Sequence, residues 1–424
     1  MMRRIAGMSV WLLLISMVMT IGNDGDGYAA GVNKVVGVNV DATTPPVLPC
    51  TTFGFSIDAT NTLPVGANNV RMLRVDRTVS NSVKLGYALT SEATGYRVYV
   101  FDITTMAVLG TITNTITGYR DAGRLQGDVS TVDGKLYVFN EVNNANPGCT
   151  TSNCVMVSRW SGTTLESAVV DNTGTRVDNI DDARESSNNF LVAVSRASAP
   201  LVREFRTYSK SGLVLVAAGT QTSSSAFMHI GRSLSGRLYA MQGVLLSPNI
   251  WTFATDSATA DNTAAIGFTA GLFIGAAYPT PTITSEFITF DSNVSGATTP
   301  QRAYVTPPVT AAGPQNFSGG AAVDFGASFQ GSSWDTINER VFALRQDTTS
   351  TFGVAQRTTN GLTGPFTTEQ NFSCGAQCAN SGGMDGGAQI VDYSQQYGRM
   401  YVGSNESPAR VTRIKVCATG GPGV

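Results

Sequence analysis

Few residues in this chain are of types that carry chemistry, and they cluster in three stretches. The single histidine is His229, in AFMHIGRS. A Ser-His-acid relay would need a serine on a sharp strand-to-helix turn, and no G-x-S-x-G or similar elbow occurs. His229 is therefore read as a buried or rim residue with a satisfied hydrogen bond. The densest acidic run is Asp178-Asn179-Ile180-Asp181-Asp182, followed by Arg184 and Glu185. Asp178, Asp181 and Asp182 with the amide could hold Ca²⁺, which takes about six to eight oxygens. The spacing is not that of an EF-hand, and Arg176 and Arg184 offset the charge, so a solvated loop or ion-pair network competes with calcium. No other cofactor is suggested. Arg120, Asp121, Arg124 and Asp128 hold the corresponding place in the preceding unit, and Arg232 that of the following one. With Asp182, Arg184 and His229 they would form a polar, ligand-binding funnel, since arginine forks suit carboxylate or sulfate. Pairing of Arg with Asp across neighbouring units is the commoner use of such residues.

What must position these groups is a repeat. A strand-like phrase recurs about every fifty to sixty residues. It appears as VKLGYAL from Val83, KLYVFNE from Lys135, FLVAVS within Asn189–Ser195, RLYAMQ from Arg237, EFITFD from Glu286, RVFALR from Arg340 and RMYVG from Arg399. Each phrase alternates or is apolar throughout over a strand's length. A hairpin follows most of them, with turns near Asp102–Thr105, Ser161–Thr164 and Ser209–Gly212. A stretch opening on a small residue precedes most: Gly127, Ala183, Gly231, Gly275, Gly326 and Gly387. A strand beside a crowded axis needs such a residue. The order of small-start strand, phrase and hairpin predicts an all-β, seven-bladed β-propeller of four-stranded blades. Tandem sandwiches would show short strands too, but would not require seven similar units. The last blade lacks one strand, and an N-terminal strand, VVGVNV at Val35–Val40 or TTFGFSID at Thr51–Asp58, is expected to complete it. That closure avoids two open sheet edges.

Composition sets the class and the compartment. Lys+Arg 28 against Asp+Glu 30 gives a net charge of −2, which excludes a basic nucleic-acid binder. Arg3 and Arg4 precede the apolar run Met8–Ile21, too short for a comfortable membrane span, and Ala29-Ala30 follow. Residues 1–30 thus read as a signal peptide, 31–75 as the segment giving the closing strand, 76–418 as the propeller and 419–424 as a disordered tail. No membrane span is expected after cleavage, and the location is secreted, periplasmic or cell-surface. Six cysteines fit an oxidising compartment. Local pairing of Cys149 with Cys154 and of Cys374 with Cys378 leaves Cys50 for Cys417. Zinc is disfavoured because neither CTTSNC nor CGAQC has the usual ligand spacing.

The segment Tyr99–Ile112, YVFDITTMAVLGTI, resembles the repeats of secreted bacterial YVTN-type propellers, where a strand meets a D-x-x-T turn and a second strand ends in T-I. The resemblance covers one blade. It implies the fold and an extracytoplasmic setting, and carries over no active residues. Two functions are left open. One is a non-catalytic interaction protein binding an extracellular protein or glycan through its loops. The other is a channel-mouth hydrolase, lactonase or lyase that uses a bound divalent cation and carboxylates among Asp121, Asp128, Asp182, Asp324 and Asp385.

Overall fold

The computed structural model describes residues 50–64, 70–75, 85–120, 125–130, 132–173, 177, 179–186, 189–195 and 202–222. Beyond these it describes the strands named below with residues 398–404 and 408–420. The signal region, Val35–Val40, the Cys374–Gly387 loop, Asp121, Arg124, Asp178, Asp324 and Asp385 lie outside the described residues. Among the described residues no helix is long and apolar enough to cross a membrane.

The described secondary structure is strand and turn. After β1 (Cys50–Thr62), the first sheet is β2 (Val70–Val75), β3 (Leu85–Glu92), β4 (Gly95–Asp102) and β5 (Val108–Thr115). The second is β6 (Gln126–Val129), β7 (Leu136–Asn143), β8 (Asn153–Ser161) and β9 (Thr164–Asp171). The third is β10 (Asn179–Glu185), β11 (Asn189–Ser195), β12 (Val202–Ser209) and β13 (Leu215–Thr222). The fourth is β14 (Met228–Arg232), β15 (Leu238–Gln242), β16 (Asn249–Phe253) and β17 (Asn262–Ala265). The fifth has five strands, β18 (Phe273–Ile274), β19 (Tyr278–Pro279), β20 (Glu286–Asp291), β21 (Gln301–Thr306) and β22 (Ala322–Val323). The sixth is β23 (Phe329–Asp335), β24 (Arg340–Arg345), β25 (Thr351–Arg357) and β26 (Phe366–Ser373). The last, β27 (Val391–Ser394), β28 (Arg399–Gly403) and β29 (Arg410–Gly420), takes β1 as its fourth strand, antiparallel to β29.

Neighbouring strands within each sheet are antiparallel, and described short turns join β3 to β4, β4 to β5, β8 to β9 and β12 to β13. The first strand of each sheet lies beside the first strand of the next: β2 by β6, β6 by β10, β10 by β14, β14 by β18, β18 by β23, β23 by β27 and β27 by β2. Among the described side chains, the apolar cores lie between neighbouring sheets. Leu89, Val98 and Met72 of the first sheet pack with Leu136, Val138 and Trp160 of the second. Phe139 and Val157 pack with Ile180, Phe190 and Tyr208 of the third. Leu73, Phe101 and Ile103 pack with Met400, Tyr401, Val411 and Ile414 of the last sheet. Burial of each such side chain contributes about 1.5–3 kcal/mol. Gly127 on β6 shows the crowding expected near the axis: a Cβ there would meet Tyr137 O at 2.7 Å and Met72 Sδ at 3.0 Å.

The first sheet opens at Val70, where VRMLRV carries Arg74 among apolar residues, and β29 runs to Gly420.

Polar contacts hold the last sheet together and tie it to the first. Asp58 on β1 accepts Arg399 Nε at 2.7 Å and faces Arg413 Nε at 2.9 Å. Arg413 Nη1 donates to Ile103 O at 3.0 Å and to Thr104 O in the β4–β5 turn. Tyr401 Oη adds a bond to Ile103 O at 2.9 Å. Arg159 on β8 does the same to the third sheet, donating to Lys210 O at 2.5 Å and Ser211 O at 3.0 Å in the β12–β13 turn. Burial opposes ionisation of Asp58, yet the Arg399 hydrogen bond and the two guanidinium charges hold its pKa below the ordinary 3.8. Asp58→Ala leaves two arginines without their carboxylate. Because Asp58 is exposed while its partners are buried, the change is expected to lower unfolding stability by about 1–2 kcal/mol, read as a lower urea midpoint with an unchanged slope.

Candidate functional site

The innermost strands carry a charged row. Arg74 on β2 donates through Nε to Asp128 Oδ1 of β6 at 3.0 Å. Asp128 Oδ2 accepts the Glu185 N–H of β10 at 3.0 Å, and Oδ1 also accepts Val129 N–H at 3.1 Å. Asp182 on β10 repeats the device one sheet later. Its Oδ1 accepts Ala183 N–H at 2.8 Å and faces Arg184 Nη1 at 3.1 Å, while Oδ2 accepts Ile230 N–H of β14 at 2.9 Å. The charge of Arg74, from two sheets away, also acts on Asp182. Burial nonetheless raises the Asp182 pKa, outweighing the Arg184 charge, the Ile230 N–H and the Arg74 charge. These carboxylates therefore stitch one inner strand to the next.

The residues singled out in the sequence fall in different places. Asp128, Asp182 and Arg184 share this axial row, joined by Arg74. Arg120 lies apart, where chain enters the second sheet: its Nη1 is 3.1 Å from Oε1 of the buried Glu141, and its N–H donates to Glu141 O at 3.2 Å. His229 and Arg232 belong to β14, opposite Met241 and Leu238 of β15, and flank the Ile230 N–H that Asp182 accepts. Asp181 lies on β10, within the register shift between Ile180 and Asp182. Of the three residues considered for calcium, Asp182 is the one whose side chain is described, and both of its oxygens are turned to N–H donors. Among the described residues no three His, Cys, Asp or Glu side chains form a metal-holding group.

At the end where Arg120 lies, the β7–β8 loop is pinned by the Cys149–Cys154 disulfide, with Cα atoms 5.7 Å apart. At the opposite end, where the first and third strands of each sheet finish, a second polar knot ties sheets two and three. Ser130 Oγ donates to Glu185 Oε1 at 2.6 Å, and Lys210 Nζ joins both. This end also gathers exposed aliphatic side chains: Val132 (67%), Leu165 (43%), Leu109 (52%), Val214 (53%) and Val216 (56%). Leu109 and Val216 are the extra residues of β-bulges at matching places on β5 and β13, and Glu166 is the extra residue on β9. The large aromatic side chains of these sheets, Tyr87, Tyr96, Phe101, Tyr137, Phe139 and Trp160, are buried.

A further buried cluster escaped the sequence reading. Glu204, Arg206 and Tyr208 alternate along β12 and face Asp171 at the end of β9. Arg206 reaches Asp171 Oδ2 at 2.6 Å and Glu204 Oε2 at 2.8 Å, and Tyr208 Oη donates to Asp171 Oδ2 at 2.7 Å. The signal was present as polar Glu204, Arg206 and Tyr208 at every second position of VREFRTY, but a lone strand does not reveal its partner sheet. Burial opposes ionisation of Asp171, but hydrogen bonds from Thr173 and Tyr208 and the Arg206 charge hold its pKa below 3.8. Burial, with the Asp171 charge, pushes the Tyr208 hydroxyl well above its usual range.

Among known proteins, no family model matches the chain, and no curated protein sequence matches it. Solved structures do. A chain in a crystal structure of the mitotic checkpoint complex aligns over 87% of this chain and 97% of its own, at 9% identity and a TM-score of 0.56. A chain of the hydrazine synthase of Kuenenia stuttgartiensis aligns over 85% and 99%, at 13% identity and a TM-score of 0.56. Both are propeller-type folds, and the present chain has a propeller-type, all-β fold of antiparallel sheets.

Asp171 yields a pH prediction. Its folded pKa lies below the unfolded value, so its contribution is present above about pH 4 and is lost as pH falls through the folded pKa. Asp171→Asn is expected to remove about 2–4 kcal/mol at pH 7 and to flatten the acid limb of stability below about pH 4. Urea unfolding at a series of pH values checks both effects.

Proposed function

We propose that this protein is a secreted, non-catalytic, seven-bladed β-propeller, closed by its N-terminal strand, that binds an extracellular protein. The observation that carries this reading is the exposure of Val132, Leu165, Leu109, Val214 and Val216 at one end of three consecutive sheets. Apolar side chains presented on loop ends are available to a protein partner. A glycan would instead favour exposed aromatic platforms, and the aromatic side chains named above are buried. The Cys149–Cys154 disulfide supports an oxidising compartment, hence a secreted, periplasmic or cell-surface location. The Asp102 turn supports the YVTN-type likeness: Asp102 Oδ1 accepts Thr104 N–H at 2.7 Å and Thr105 N–H at 3.0 Å. The metal-assisted alternative would draw on Asp128 and Asp182, whose oxygens are engaged in holding inner strands together. Immobilised protein should capture a protein from the extracellular fraction, and Val214→Lys/Val216→Lys together should abolish the capture while Arg120→Ala does not. Capture that is insensitive to the lysines, or turnover of a small substrate with a stoichiometric divalent ion, would overturn the proposal.

The seam supplies a covalent test of the closed ring. Cys50 and Cys417 lie on β1 and β29, at the same end of their ladder, where Cys50 faces Gly420 and Phe53 faces Cys417 across several register shifts. Mass mapping of non-reduced peptides is expected to link Cys50 to Cys417. Serine at both positions should expose the β1–β29 seam to protease before the other sheets are cut.

A further inference from the structure

Strands β3 and β4 carry polar groups on both faces, and the two faces differ in how those groups are satisfied. Leu89, Tyr96 and Val98 belong to the core shared with the second sheet, and Ala88 and Tyr99 to the core shared with the last. Toward the second sheet the polar groups are bonded. Tyr96 Oη lies 2.7 Å from Ser158 Oγ and accepts Trp160 Nε1–H at 3.1 Å, and Ser91 Oγ lies 2.9 Å from Tyr119 Oη. Toward the last sheet they are not. Register sets Thr90 opposite Arg97 and Ala88 opposite Tyr99. On this face Thr90 Oγ1, Tyr99 Oη, Arg97 Nε and Glu92 Oε1 are buried atoms without a hydrogen bond. Thr90 and Tyr99 are fully buried. Arg97 Nε stands 3.5 Å from Glu92 Oε1, an ion pair within the hairpin rather than across to the last sheet. Tyr99 is near enough to the Arg97 guanidinium to raise its pKa, yet no hydrogen bond of ordinary geometry reaches Tyr99 Oη. The last sheet grips the first elsewhere. On the innermost strand Val70 N–H donates to Ser404 O at 3.1 Å, and a Cβ on Gly403 would meet Val70 Cγ1 at 2.8 Å. At the far end of β4, Arg413 Nη1 and Tyr401 Oη hold Ile103 O. The start of β4 and the β3–β4 turn lie beyond both ties.

We infer that the hairpin end Thr90–Tyr99 is a flap that parts reversibly from the last sheet, pivoting on the Val70–Ser404 bond and the Ile103 contacts. A hydroxyl or guanidinium N–H buried without a partner loses its bonds to water and regains them when uncovered. The four unsatisfied atoms therefore favour the parted state. Bonds on the opposite face keep the hairpin on the second sheet, so opening is confined to one corner of the interface, and β1 stays paired with β29. Local opening of this kind draws on the least stable contacts of a fold. The flap is independent of what the protein binds.

Hydrogen exchange and urea unfolding of the full chain test it through the sign of three hydroxyl deletions. Thr90→Val and Tyr99→Phe remove unsatisfied hydroxyls with little change of shape. Each should slow amide exchange across Ser91–Tyr99 and raise the urea midpoint, and together they should slow that exchange by about tenfold. Exchange in β12 and β13 should not change. Tyr96→Phe, on the bonded face, should do the reverse, with faster exchange and a lower midpoint. Thr90→Val or Tyr99→Phe behaving like Tyr96→Phe, or leaving exchange in the hairpin as it was, would overturn the flap, because that hydroxyl would then be satisfied where it lies. The unmodified protein supplies a readout that depends on no variant. Its Thr90–Tyr99 amides should exchange at least about tenfold faster than those in the middle of β7 and β8, and equal protection would overturn the flap as well.

Discussion

A four-stranded sheet that is apolar on both faces cannot be buried by itself, and every other property of this fold follows from that constraint. One neighbour covers one face and leaves the other wet, so sheets must be added until the last finds the first. The cores described here obey this rule, since each draws its members from two adjacent sheets. Strand β1 belongs to the same logic, because it gives the last sheet a fourth strand from the opposite end of the chain.

Polar groups are placed to serve the same end. Where inner strands come close, Gly127 makes the approach fit. Carboxylates there accept backbone N–H groups from the next inner strand, which satisfies donors that would otherwise be buried without partners. Farther out, arginines on third strands hold turn carbonyls of the following sheet. Such buried pairs specify which sheet sits beside which, whereas the apolar contacts stabilise with little preference among neighbours.

Much of this was legible in the sequence, and the rest was hidden for a definable reason. The phrases around Tyr87, Tyr137 and Tyr401 and the turn at Asp102 marked strands and hairpins directly, since alternation and turn chemistry are local. Asp128, Asp182 and Arg184 stood out as charges beside inner strands. Arg74 did not, because a single arginine in VRMLRV shows its meaning only when Asp128 is set beside it. The Asp171–Arg206–Tyr208 cluster was missed in the same way: polar residues at every second position of a strand look like a wet face until a partner sheet covers it. The exposed aliphatic end was likewise invisible, because LVLVAA reads as core when its exposure is unknown.

The pairing of β1 with β29 also has a temporal side. Thr60 and Thr412, side by side in the folded chain, are 352 positions apart. Loop closure over such a span is slow, and contacts of this kind form late in folding. While the chain emerges from its N-terminus, the inner sheets can stack in order as each hairpin appears, but β1 has nowhere to go until β29 has been made. A strand made before all the described sheets is thus among the last to find its place, and until then the growing stack keeps an open edge at each end.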